Sequence, residues 1–419
     1  MKQSMNIPAL NKLQIFTHQL ENGKQLLYAP LSGCVVEAEG DEVALLEQKA
    51  LGKVEDDVIT ALCDSEATVS RVAYPDTITE LTILLNQRCN FSCSYCYSAN
   101  GRDNKEIDLE QLMKIIDWFV SPERGAELEL VFSGGGDPML SFGLLRQGVE
   151  YAVKKSDDCG VKLNIGVVTN GSTLLDEQIE FVKKYNIGLV VSFDIIESVH
   201  NKQRSHYSIV AATISKLCDK GVSFGIRSTI TPLNAPLQEQ MVEELHHKFP
   251  LVKSAAFECV LNKDLFATEK ELEQFYINFE EHLFAAQALG ESYGITIGNT
   301  IINNIDNCKE RACLGKLVAT PYGYITACSR ISSHKEQYFD KFVYGEISKE
   351  KIVINKERID DLMSKTVESY SDCSSCIAKW HCSGGCQLAR HSLPTGYFEC
   401  YCRFMRRMVV RTLLNKINE

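Results

Sequence analysis

Cys89-Asn-Phe-Ser-Cys93-Ser-Tyr-Cys96 is the stretch of this chain best equipped for chemistry, three thiols close together just after the apolar run Leu81–Leu85. Thiolates so spaced suit a [4Fe–4S] cube in which one iron has no protein ligand and can chelate a small molecule through nitrogen and oxygen. Such clusters are ordinarily held by four Cys. Structural zinc is the competing reading. Zinc takes four closed tetrahedral ligands, usually as two close pairs of Cys or His. No further Cys or His occurs within the fifty or so residues after Cys96.

A second concentration lies near the other end, where nine of the 17 Cys fall between Cys308 and Cys402. Cys313 is followed by nine residues, Gly323, four residues and Cys328; then come Cys373-xx-Cys376-xxxxx-Cys382-xxx-Cys386, Cys400 and Cys402. The remaining five, Cys34, Cys63, Cys159, Cys218 and Cys259, stand singly in apolar or helical surroundings and read as small buried hydrophobes. The N-terminal Met-Lys-Gln-Ser-Met-Asn-Ile-Pro lacks the apolar core of a signal peptide, and no apolar run reaches membrane-spanning length. The expected location is therefore the cytoplasm, without a membrane partner. Disulfides are rare there, so clustered Cys argue for metal. The net charge of −11 speaks against general nucleic-acid binding, which needs a basic surface.

The elements that must position these residues follow from pattern. Residues 1–76 form a front segment, with strand character at 25–30 and 33–38, a Pro-Leu-Ser-Gly turn between, and short helices at 42–49 and 54–63. From Thr77, apolar runs at 81–85, 128–132, 163–168, 189–193, 224–229 and 255–261 alternate with amphipathic stretches at 109–120, 142–155, 176–185, 209–220, 237–249 and 270–289. Strands alternating with helices predict parallel βαβ units, whose function collects at the C-terminal ends of the strands. The Cys89–Cys96 loop sits at the first of these ends.

Leu85-Asn-Gln-Arg-Cys89-Asn-Phe-Ser-Cys93-Ser-Tyr-Cys96-Tyr resembles the signature of the radical S-adenosylmethionine (radical SAM) enzymes. The resemblance implies an α/β fold, a partial (β/α)6 TIM-type barrel spanning 77–300. Cys89, Cys93 and Cys96 would hold a cluster whose open iron binds S-adenosylmethionine. Ser133-Gly-Gly-Gly-Asp137 resembles the family's GGE motif for the SAM ammonium, with Asp137 one methylene shorter than the usual Glu. Thr169-Asn170-Gly171 resembles its TNG turn, and Ser192-Phe-Asp194 its S-x-D near the ribose. His200-Asn-Lys-Gln-Arg204 resembles H-x-x-x-R, whose Arg fork suits the SAM carboxylate. By this likeness Tyr95, near the adenine, together with Gly135, Gly136, Asp137, Asn170, Ser192, Asp194 and Arg204, contacts SAM. Arg227 and Ser228 are expected at the same rim, and Glu258 either lines the pocket or is paired.

The C-terminal array resembles the SPASM extension, giving residues 301–419 as a Cys-rich Fe–S domain. The resemblance assigns Cys308, Cys313, Cys328 and Cys386 to one auxiliary [4Fe–4S] cluster. Cys373, Cys376, Cys382 and one late Cys hold another, Cys402 being favoured over Cys400 by the aromatic and basic residues after it. Three clusters and SAM are thus the implied cofactors, and His381 reads as structural or as supporting a ligand. The implied partners are a precursor peptide or protein and an external one-electron donor such as a flavodoxin or ferredoxin.

Fold does not fix reaction. The front segment, as a leader-peptide-binding module or a cap over the barrel edge, and the SPASM array favour oxidative cross-linking of a ribosomally made peptide. The alternative is a sulfatase-type maturase forming formylglycine. Relatives of that kind carry a basic Asp directly after the Cys matched by Cys328, where this chain has Ser329. A non-enzymatic Fe–S or zinc scaffold is disfavoured by the rim motifs. No residue is singled out as the general base.

Overall fold

The computed structural model describes residues 7–52, 57–64 and 68–418. The front segment runs α1 (Pro8–Lys12), β1 (Phe16–Gln19), β2 (Gln25–Ala29), β3 (Cys34–Ala38), α2 (Gly40–Gly52) and α3 (Asp57–Cys63). Its three strands form an antiparallel sheet in chain order. The turn and both strands read from sequence are present; β1 and α1 were not expected. Val54, read as the start of the second helix, lies outside the described residues.

Alternating units follow: β4 (Glu80–Ile83), α4 (Leu109–Phe119), β5 (Glu127–Phe132), α5 (Phe142–Cys159), β6 (Lys162–Thr169), α6 (Asp176–Lys184), β7 (Gly188–Ser192), α7 (Glu197–Gln203), α8 (Tyr207–Asp219), β8 (Phe224–Ile230), α9 (Gln238–Lys248), β9 (Ser254–Cys259), α10 (Glu269–Tyr293) and β10 (Thr296–Gly298). Local chemistry sets the ends. The Asp108 carboxylate accepts from the Glu110 N–H at 2.9 Å to start α4, which buries Leu112, Ile115, Ile116 and Phe119 on one face. Gly160 and Gly294 take left-handed φ where α5 and α10 stop. Along β5, Leu128, Leu130 and Phe132 are buried while Glu127 and Glu129 are exposed, the two-residue alternation that gives a strand two faces.

Strands β4 to β10 are all parallel, and β4 and β10 do not meet. The barrel is partial, as expected, with β10 added beyond the six expected strands. β4 pairs instead with β11 (Leu317–Ala319), which continues antiparallel through β12 (Tyr324–Thr326), β13 (Val343–Ile347) and β14 (Ile352–Ile354). One eleven-stranded sheet therefore joins the barrel to the Cys-rich end. These added strands are short and carried no pattern long enough to read.

Described residues of the front segment pack against the C-terminal part. Phe16, Leu26 and Tyr28 share an apolar core with Ile305, Trp380, Val409 and Leu413 of the C-terminal part. Gln14 accepts from Lys379 and from the Trp380 indole at 2.9 and 3.0 Å, and the Tyr28 hydroxyl meets His381 Nε2 at 2.7 Å. His381 is thus a structural link. Among the described residues no helix is long and apolar enough to cross a membrane.

His200 on α7 is fully buried against Phe193 and Tyr207, and its Nδ1 accepts from the Asp194 N–H at 3.2 Å. Burial holds the imidazole at about 3, below its ordinary 6.5. The neutral ring's stabilisation is complete above the unfolded value and is lost as pH falls from there towards the folded one, by about 1.4 kcal/mol per pH unit. Urea unfolding at pH 7, 6 and 5 should therefore show a shallower acid loss in His200→Gln than in the native chain; equal slopes would refute this.

Candidate functional site

A cavity of about 580 Å³ opens at the C-terminal ends of β4–β9. Cys89, Cys93 and Cys96 all line it, with Tyr95, Gly134–Asp137, Asn170, Ser192 and Arg204 around them. Of the residues expected near SAM, only Asp194 stays off the wall. It is fully buried just beneath, and its partners explain the loop's position. The Tyr95 hydroxyl donates to Asp194 Oδ2 at 2.8 Å, Gln203 Nε2 donates to the same oxygen at 2.8 Å, and the Thr229 N–H reaches Oδ1 at 3.2 Å. Arg204 Nη1 donates to the Tyr95 hydroxyl at 2.7 Å. Burial works against the Arg204 charge, but Tyr95 and Asp194 beside it hold the guanidinium above its ordinary value. The Ser94 N–H donates to the Gln203 carbonyl at 2.9 Å. The Cys loop is thereby pinned to α7 and β8.

Two thiols receive donors: Arg102 Nη2 approaches Cys96 Sγ at 3.2 Å, and Asn170 Nδ2 approaches Cys89 Sγ at 3.7 Å. Burial pushes the Cys93 thiol up to about 11. Such a group is a thiolate at neutral pH only when a metal takes the proton's place. Among the described residues no three His, Cys, Asp or Glu close on a point as a single ion requires; the three thiols stand around the opening instead. A three-thiol donor set bordering a cavity fits a cube with one accessible iron.

The turn after β5 lies against the segment after β4. The Gly136 and Asp137 N–H groups donate to the Asn86 and Arg88 carbonyls at 2.8 and 2.7 Å. A Cβ on Gly136 would fall 1.9 Å from the Arg88 carbonyl oxygen, so only glycine permits this approach. Asp137 itself departs from the expectation that its carboxylate is offered to a ligand. It accepts from the Met139 N–H (2.9 Å), the Asn170 N–H (2.6 Å) and the Thr169 hydroxyl (3.0 Å), and it is 4 % exposed. Its oxygens are spent holding the Thr169–Gly171 turn. Arg204 lines the cavity with one nitrogen committed to Tyr95.

At the far wall, Arg227 lines the cavity, whereas Ser228 is fully buried and donates to the Phe193 carbonyl at 2.5 Å. Neighbours on a strand point to opposite faces, so both could not occupy the rim. Glu258 lines the cavity and also accepts from the Thr300 N–H and hydroxyl. None of the five single cysteines is the fully buried hydrophobe expected: Cys34, Cys159, Cys218 and Cys259 are half-buried, Cys259 bordering the cavity, and Cys63 is exposed. Tyr97 and Arg102 were missed although both adjoin the first motif. Tyr97 lines the cavity within electrostatic reach of Cys96 and Cys328, as Ser329 and Arg330 line it opposite the first loop.

The C-terminal thiols fall into two groups. Cys313, Cys328 and Cys386 lie within each other's electrostatic reach, and so do Cys373, Cys376, Cys382 and Cys402. Burial drives Cys328 and Cys376 to about 11 and Cys382 well above its ordinary value, again a donor set suited to metal. Cys400 is turned away towards α10, where its thiol reaches the Glu269 carbonyl at 3.6 Å. Residues two apart on a helix diverge by about 200°, so Cys400 and Cys402 cannot serve one site. Cys308 lies in the seam against the front segment, where its Sγ donates to the Pro30 carbonyl at 3.3 Å and Cys373, Cys376 and Cys382 pack against the same core.

Since Asp137 is closed in by three donors, Asp137→Ala should cost about 2–3 kcal/mol of stability through unsatisfied buried groups. Asp137→Glu, which moves the carboxylate out of register with these three donors, should lose about 1–3 kcal/mol. Both losses should appear in denaturant melts without SAM. A Glu variant as stable as the native chain would show that the carboxylate has freedom to reach a ligand.

Residues 83–248 match the family model described as the Radical SAM superfamily. The cyclopropyl synthase TigE of Paramaledivibacter caminithermalis is 21% identical over 385 residues, covering 82% of this chain and 76% of that protein. An uncharacterised Methanocaldococcus jannaschii protein is 28% identical, but the chain spans only 59% of its length. Among solved structures, anSMEcpe with AdoMet and the Kp18Cys peptide superposes with a TM-score of 0.64 at 17% identity, over 81% of this chain and 99% of that one. Streptococcus suis SuiB with its precursor peptide SuiA gives 0.54 at 12%, over 94% and 98%. The latter two likenesses establish the fold. The chain carries a Radical SAM superfamily domain over residues 83–248, and a cyclopropyl synthase and an anaerobic sulfatase-maturating enzyme are among the proteins it is similar to.

Proposed function

We propose that this protein is a radical SAM/SPASM maturase that oxidatively cross-links a ribosomally made peptide. The observation that carries the reading is the shared cavity: the three thiols of the Cys89–Cys96 loop form one wall, and Ser329 and Arg330, beside the Cys313–Cys328–Cys386 group, form another. A substrate held between them touches both redox-capable ends. When bound, the first cluster and SAM supply a 5′-deoxyadenosyl radical for hydrogen abstraction.

In this proposal Cys89, Cys93 and Cys96 hold the first cluster. Cys373, Cys376, Cys382 and Cys402 hold one auxiliary cluster, and Cys313, Cys328 and Cys386 belong to the other. Gly135 and Gly136 offer backbone to SAM, Tyr95, Asn170 and Ser192 line its site, and Arg204 brings positive charge for its carboxylate. Asp137 and Asp194 act through the groups they hold. Arg102 and Asn170 direct N–H groups at sulfur, a known influence on cluster potential. The cavity walls exclude water from the radical.

Peptide is the favoured substrate because anSMEcpe and SuiB have been solved with bound peptides and the likeness to SuiB extends over nearly the whole chain, front segment included. In the front segment β3 is an edge strand of the described sheet, with Val36 43 % exposed and Val58 of α3 52 % exposed. An edge with apolar side chains accepts an added strand, which suits a leader peptide. The sulfatase-type reading is disfavoured by Ser329. Ser329 lines the cavity, but its hydroxyl cannot take a proton at neutral pH without a base of its own.

Anaerobically reconstituted protein should carry about twelve iron and twelve sulfide per chain, and replacing Cys89, Cys93 and Cys96 by Ala should remove about a third of both, with all SAM cleavage. Zinc at two or more equivalents with little sulfide would sink the reading. With a co-encoded precursor, each modification should remove two hydrogens by mass, and Ser329→Ala should keep most turnover. Formylglycine made from a sulfatase-derived Cys or Ser peptide would decide for the alternative. Val36→Lys should weaken precursor binding while leaving SAM cleavage without peptide unchanged; unaltered binding would remove the leader-binding role of β3.

A further inference from the structure

Five cationic side chains line the cavity: Arg102, Arg204, Arg227, Lys316 and Arg330. Three of them are engaged by the protein itself. Arg204 is bound to the Tyr95 hydroxyl, Arg102 donates to the Phe91 carbonyl and approaches Cys96, and Lys316 is within electrostatic reach of Cys313. Arg227 and Arg330 differ. The pleat of β8 that buries Ser228 turns Arg227 into the cavity, where it is exposed. Among the described residues its side chain makes no hydrogen bond or ion pair. Arg330 makes one hydrogen bond, from Nη2 to the Leu261 carbonyl at 3.4 Å, and its guanidinium lies 5.7 Å from the centre of the Tyr97 ring. Arg227 is within electrostatic reach of the same tyrosine, so both guanidinium groups border the space around Tyr97. The acids of the wall are spent elsewhere. Asp137 is enclosed by its three donors, Glu258 accepts from Thr300, and Glu80 accepts from the Thr82 hydroxyl at 3.3 Å.

A guanidinium offers a rigid planar fork matched to a carboxylate, and two such forks without an acid of their own attract one. On the peptide-substrate reading above, we infer that Arg227 and Arg330 form a specificity subsite for a carboxylate of the peptide, either an Asp or Glu side chain or the C-terminal acid. The subsite lies in the cavity that also holds the Cys89–Cys96 loop, so the carboxylate it captures sets which neighbouring residue faces the first cluster. A peptide whose inserted segment is uncharged is disfavoured, because it covers both guanidinium groups without pairing them.

Calorimetric titration of the full-length, reconstituted protein with SAM and no reductant tests the subsite. The probes are acetyl-Gly-Gly-Glu-Gly-Gly-amide, the same peptide with Gln for Glu, and the Gln peptide with a free C-terminal acid. The Glu probe or the free acid should bind roughly tenfold more tightly than the Gln amide, and whichever does identifies the source of the carboxylate. Equal affinities in the wild type would overturn the inference without recourse to any variant. A folded Arg227→Gln/Arg330→Gln protein should bind all three probes alike. A double variant that keeps the preference would overturn the inference. So would one that loses SAM affinity as much as probe affinity, since the arginines would then belong to SAM. Turnover separates the subsite from the reading it rests on. If no co-encoded precursor loses two hydrogens, peptide maturation fails and the inference with it. If a precursor is turned over equally well after each Asp, Glu and the C-terminus is converted to its amide, the subsite alone fails.

Discussion

Asp194 is the constraint on which the site depends. A carboxylate buried this completely is costly unless every lone pair finds a donor. Here the donors come from three elements: Tyr95 of the Cys loop, Gln203 of α7 and the backbone of β8. Arg204 closes the set through the Tyr95 hydroxyl, supplying the positive charge nearby that offsets the burial of the acid. Satisfying one acid therefore determines where the loop stands against the barrel, and with it where three thiols face the cavity.

Asp137 plays the matching part across the opening. By accepting from Met139, Asn170 and Thr169 it joins the turn after β5 to the turn after β6. The glycines before it let that turn press against the Asn86 and Arg88 carbonyls. Two buried acids thus do the positioning, and backbone, neutral side chains and the cavity's arginines are left to meet a ligand. Preorganisation of this kind places the cost of desolvation in folding, before a ligand arrives.

The open barrel has a structural consequence at its free edge. β4 carries the Cys loop, and an unpaired β4 would expose backbone donors and acceptors. β11 pairs with it, and the antiparallel strands that follow carry the Cys328 segment to the same cavity. The front segment then covers the outer side of the Cys-rich end through the Phe16–Trp380 core. The two Cys-bearing regions are thereby parts of one continuous sheet.

The sequence by itself determined the βα alternation and the position of the Cys89–Cys96 loop at the first strand end, because burial against helices and capping at their ends are local and periodic. It also determined that Cys89, Cys93 and Cys96 share one loop, since their short spacings leave the chain little freedom. Tertiary structure alone decided what long-range partners each group meets. Asp137 reads as a ligand-facing acid until Thr169 and Asn170 fold against it. Ser228 reads as a rim residue until the strand's pleat turns it outward. Cys400 and Cys402 stand two apart in sequence and opposed on a helix, and Cys308 is drawn into an apolar seam with residues nearly three hundred positions away. In each case the deciding energy is a contact between distant segments, which no local pattern encodes.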